Sequence, residues 1–165
     1  MQDASGNCQA DSAAARVGSF LEAIKNEDTL TFWSLLDRRG QGYFMGMWFY
    51  ALGNTDLNTI SLLAEDEKFL RDALTGIVGE LKANLGELAE APVIGKLTYT
   101  DDQHALVPVR VDDGPGGDSR TDNIPLVMEL LPPGNRQFAG GAVGMTCWKI
   151  DTLKCFKVQK MEKKE

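Results

Sequence analysis

Hydrophobic positions change their period once along this chain, near Ala91-Pro92. Before it they recur at helical spacing. Val17, Phe20, Leu21 and Ile24 follow the i, i+3, i+4, i+7 rule and predict a first helix that begins after a cap at Asp11 or Ser12 and stops at Asn26. Asp28 or Thr29 caps a second helix, with Leu30, Trp33 and Leu36 on one face and Phe32 and Leu35 beside it. Gly40 and Gly42 punctuate before a third. Asn54-Thr55-Asp56 caps a fourth that carries Leu57, Ile60, Leu63 and Ala64. From Asp66, Leu70, Leu74, Ile77, Leu81, Leu85 and Leu88 predict a longer helix, with a bend expected at Gly76–Gly79 because each glycine costs about 1 kcal/mol against alanine. After Pro92 the pattern is that of strands: 93–100, then 104–111, in which Ala105, Val107, Val109 and Val111 alternate with Leu106, Pro108 and Arg110, then 124–131 and 145–158. Pro108 cannot donate to a ladder and implies an edge or a bulge. The last strand is expected to bend near Asp151. Helices followed by antiparallel strands predict an α+β domain over residues 11–158, between a disordered N-terminus (1–10) and a basic frayed tail (159–165).

Within the helical half, residues 42–53 stand apart. These twelve positions hold five aromatics, two methionines and no charge. A helix apolar on every side must be buried or must meet a ligand, a partner or a membrane. The run is shorter than the roughly 20 residues a bilayer span needs, and its Gly42-x-x-x-Gly46 spacing has meaning mainly inside such a span. Core packing, a pocket wall and a docking patch remain as alternatives. The first two are compatible on opposite faces of one helix.

Charge narrows the partners. The 165 residues carry a net charge of −7. Lys154 to Glu165 hold five lysines and two glutamates, a local +3, so residues 1–153 carry −10 by subtraction. An acidic body does not fit a nucleic-acid groove, which needs a basic surface. Cys8, Cys147 and Cys155 with the single His104 make no zinc pattern, and an odd cysteine count does not suit a disulfide framework. A Cys147–Cys155 bridge would need the chain to reverse near Asp151. Residues 1–15 lack an apolar leader, which points to the cytoplasm. The polar run Gln2 to Asn7 would also suit the mature terminus of an exported chain.

Three segments carry a family resemblance: Phe20-Leu21-Glu22-Ala23-Ile24-Lys25-Asn26-Glu27-Asp28, then Trp33-Ser34-Leu35-Leu36, and late in the chain Trp148-Lys149-Ile150-Asp151. Over about residues 12–158 the chain resembles the nuclear transport factor 2-like superfamily, the α+β cone shared by ketosteroid isomerase and SnoaL-like cyclases, with the helical region around 54–90 as an insertion. The resemblance implies a curved antiparallel sheet of about four strands wrapped around early helices, a cavity between them, and a homodimer formed through the sheet. It also implies that the uncharged stretch is the helix under that sheet. Members include isomerases, dehydratases and cyclases as well as non-catalytic binding domains, and fold alone does not choose among them.

Candidate chemistry is sparse. His104, beside Asp101 and Asp102, suits either a general base or a turn histidine. Tyr43, Tyr50 and Tyr99 with Asp37 and Asp101 supply the residue types of isomerase chemistry, yet no spacing makes them converge. Asp37-Arg38-Arg39 reads as a solvated end of the second helix. Asp112, Asp113, Asp118 and Asp122 crowd one loop without calcium-loop spacing. The reading is therefore a domain with no catalytic residue, cofactor, metal or membrane span. It is expected to bind a small apolar molecule or a protein partner through Trp33, Tyr43, Phe44, Trp48, Tyr50, His104 and Met128. An acid–base enzyme of the isomerase, cyclase or dehydratase type using the same pocket is the alternative.

Overall fold

The computed structural model describes residues 10–53, 55–111, 121–130 and 146–156. The expected N-terminal disorder (apart from residue 10), Cys8, Asp112, Asp113 and Asp118, the loop before residue 145 and the basic tail lie outside them. Seven helices and five strands are seen among the described residues. Helix α1 (Ala10–Lys25) sinks Val17, Phe20, Leu21 and Ile24, each at most 1% exposed, as its spacing requires. Glu27 turns the chain with φ of 54°, and the Asp28 carboxylate caps α2 (Thr29–Leu35) by accepting from the Thr31 amide at 3.2 Å. Leu36 then leaves the helix and bridges to Ile150 in parallel.

Helix α3 (Arg38–Leu52) starts earlier than its glycines suggest, because Asp37 accepts from the Gly40 amide and caps it. Asp37 is thus a buried cap at 2% exposure rather than a solvated helix end. The uncharged stretch is not hidden all round. Gly40, Phe44 and Trp48 face inward at four-residue spacing, while Tyr43, Met47, Tyr50 and Leu52 are exposed. The helix that packs most extensively on the sheet is α1, whereas α3 packs on α4 (Leu57–Leu63) and α7 (Thr152–Cys155). α5 (Glu67–Leu85), capped by Asp66, runs unbroken through Gly76 and Gly79. Its buried line of Leu70, Leu74 and Val78 spans the turn on either side of Gly76 and keeps the helix continuous. Gly86, at φ of 50°, ends it, and α6 (Glu87–Glu90) buries Leu88.

The sheet is a curled antiparallel half-barrel. β1 (Val93–Ile94) and β2 (Thr98–Tyr99) are two pieces of one edge on β3 (His104–Arg110), followed by β4 (Thr121–Leu130) and β5 (Thr146–Ile150). Ile94 pairs with Val109 and Thr98 with Leu106, so four steps on the edge match three on β3. That extra residue is a bulge, and it lies opposite Pro108 as the missing donor demands. The Gly95 amide donates to the Pro108 carbonyl at 2.8 Å, an approach that leaves no room for a side chain at residue 95. Past Ile150 the chain turns into α7, where a continuing strand is expected from the sequence. The chain there does not tie Cys147 to Cys155, and both are free thiols. Helices packed on a curled antiparallel sheet make this an α+β fold, as the change of period predicts.

Candidate functional site

The C-terminal half of α5 turns Ile77, Leu81 and Leu85 away from the buried line toward α3 and α7. These side chains recur every four residues and so form one wall. Tyr43, Phe44 and Met47 of α3 stand opposite. Cys155 and Phe156 close one end, and Asp122 reaches in from the start of β4. The space between is an open cleft of about 570 Å³. A second, narrower chamber of about 220 Å³ shares Leu81, Leu85, Asp122, Cys155 and Phe156 with it. This inner chamber runs under β3 and β4, where Phe20, Ile24, Leu106, Ile124 and Pro125 line it. Ligand sites commonly measure about 300–1,000 Å³ and carry a few polar groups on apolar walls.

Two features fix the closed end. Phe156 stacks on Phe32 at 6.2 Å and stands edge-on to Phe44 at 6.5 Å. α7 is anchored through Asp37, whose carboxylate accepts from the Thr152 amide at 3.2 Å and the Thr152 hydroxyl at 2.7 Å. Gly40 lies so close to Thr152 that a Cβ would overlap its side chain. Burial, followed by the nearby Asp122 and Asp151 carboxylates, pushes the Cys155 thiol up to about 12. The sulfur therefore stays protonated at neutral pH and is a weak nucleophile.

The expected binding residues divide. Tyr43 and Phe44 line the cleft. Trp33 and Trp48 stand behind them, each 9% exposed, with ring centroids 5.3 Å apart, and Trp48 meets Phe69 edge-on at 5.1 Å. They back the wall rather than line it. Tyr50 is 85% exposed and touches Phe49. Met128 sits on β4 opposite Trp148, half-buried and outside the cleft lining. His104 opens β3, and its Nδ1 is 2.9 Å from the Asp101 carboxylate. Asp101 is held below the usual carboxylate range by hydrogen bonds from the Gln103 amide and from His104. Neither residue lines the cleft.

Sequence reasoning passed over Ile77, Leu81, Leu85, Asp122, Cys155 and Phe156 as site residues. The leucine spacing was visible, but period alone does not separate a core stripe from a pocket wall. Asp151 before Thr152 was a helix-start signal that the apolar run around it masked. Among the described residues no group of His, Cys, Asp and Glu could hold a metal ion, and no helix is long and apolar enough to cross a membrane. No family model, curated protein or solved structure matches this chain.

Proposed function

We propose that this chain is a nuclear transport factor 2-like cone that binds a small apolar molecule in the α3–α5–α7–β4 cleft without transforming it. The observation that carries this reading is the cleft itself. It has an aromatic and aliphatic wall from three helices, a narrower inner chamber under the sheet, and few polar groups. Its thiol is held protonated, and His104 is engaged with Asp101 elsewhere. One observation favours the enzymatic alternative: Asp122 lines both chambers and could act as a base there. Titration with the uncharged fluorophore N-phenyl-1-naphthylamine tests the binding reading. Saturable enhancement with one site per chain is expected. A linear, unsaturable response would remove the support for a binding cleft.

A further inference from the structure

The larger chamber is apolar but not electrically neutral. Its two ionisable carboxylates are Glu80 on α5 and Asp122 on β4, and no lysine, arginine or histidine lines it among the described residues. Lys154 lines the adjoining inner chamber and pairs with Asp151 at 3.7 Å, while Lys82 pairs with Glu27 and Lys25 with Glu90, each at 3.7 Å. Among the described residues neither Glu80 nor Asp122 has an ion-pair partner. The hydrogen bond Asp122 accepts there comes from the amide of its own neighbour Asn123, at 2.9 Å. The same chamber presents three aromatic rings, with Tyr43 edge-on to Phe44 at 5.9 Å and Phe44 edge-on to Phe156 at 6.5 Å.

Aromatic faces attract cations through the ring quadrupole, and carboxylates set in an apolar wall attract them through charge. Among the described residues, an anionic ligand would meet two like charges in the larger chamber, with Lys154 lining only the adjoining inner one. The whole chain carries a net charge of −7, so its long-range field also draws cations in. Resting on the binding reading proposed above, we infer that the natural ligand is a small organic cation: an apolar body seated against Ile77, Leu81 and Leu85, and an ammonium-type group set between the aromatic rings and the Asp122 and Glu80 carboxylates.

Three probes of matched shape separate this inference from the binding reading: 1-naphthylmethylamine, charged at pH 7, the neutral 1-naphthylmethanol, and the anionic 1-naphthoate. Each competes against bound N-phenyl-1-naphthylamine on the full chain at low salt. The ammonium should displace the fluorophore at a concentration roughly tenfold below the alcohol, with the carboxylate weakest. The ratio of ammonium to alcohol should fall toward one in the doubly substituted Glu80→Gln, Asp122→Asn protein. These positions are exposed or half-buried, and a thermal melt will confirm that the variant folds. Equal displacement by ammonium and alcohol in the unmodified protein would overturn the cationic ligand while leaving an apolar cleft in place. A ratio unchanged in the double variant would overturn the assignment to these carboxylates. Failure of the fluorophore itself to bind would overturn both readings.

Discussion

Asp37 offers the sharpest perturbation of the architecture around the cleft. Its carboxylate is 2% exposed and accepts three hydrogen bonds, from the Gly40 amide at 3.1 Å, the Thr152 amide at 3.2 Å and the Thr152 hydroxyl at 2.7 Å. One group therefore starts α3 and pins α7. Removing a helix cap costs about 1 kcal/mol, and a hydrogen bond to a charged acceptor contributes about 1.5–3 kcal/mol. The Thr152 hydroxyl can turn to the Ile150 carbonyl at 3.3 Å, which recovers part of its loss. Asp37→Ala should then cost about 3–4 kcal/mol, a fall of roughly 6–15 °C in Tm for a chain of this size. Asp37→Asn keeps an acceptor oxygen in place and should cost about half as much. Urea unfolding followed by tryptophan fluorescence reads both. A double-mutant cycle with Thr152→Val should show a coupling above about 1 kcal/mol. An Asp37→Ala loss below about 0.5 kcal/mol would refute the reasoning, because an exposed carboxylate could be removed that cheaply. Gly40→Ala checks the same joint from the other side, since its methyl group would push on Thr152.

Two further predictions concern the walls. Trp48→Ala empties a ring packed between Trp33 and Phe69 and should cost about 3–5 kcal/mol in the same unfolding assay; an unchanged midpoint would place that ring outside the core. Cys155, with its thiol at about 12 against an ordinary 9.0, should react with iodoacetamide at pH 8 about a thousandfold more slowly than a free thiol. Because a raised pKa holds the proton on sulfur until pH climbs through it, the rate should keep rising above pH 9, where an ordinary thiol levels off. Peptide-resolved mass spectrometry separates Cys155 from the other two cysteines, and a plateau near pH 9 would contradict the burial.

The helices were legible where side-chain period and capping agreed. Val17, Phe20, Leu21 and Ile24 placed α1, and Asp28, Asp56 and Asp66 each accept from an amide three residues on, as caps should. Pro108 implied an edge or a bulge, and a bulge lies opposite it at Gly95. Three features were not legible, for physical reasons. The stretch 42–53 has no polar positions to mark its solvent side, so its exposed face of Tyr43, Met47 and Tyr50 carried no signal. Asp37 looked like a helix end because its two arginine neighbours resemble a C-terminal pattern, while its partner Thr152 lies 115 residues away. α7 is only four residues long, and its apolar flanks read as strand. The cleft is lined by residues from the first and third of these and held together by the second, which is why its lining emerged only with the fold.

The central claim is that a small apolar molecule enters between α3, α5 and α7. Amide resonances of isotopically labelled protein, followed by two-dimensional NMR during titration with 1-naphthylmethanol, test it at residue resolution. Saturable shifts clustered on Tyr43 to Met47, Ile77 to Leu85 and Cys155–Phe156 are the predicted result. Shifts confined to the outer face at Tyr50, Leu57 and Leu62, or none that saturate, would contradict it.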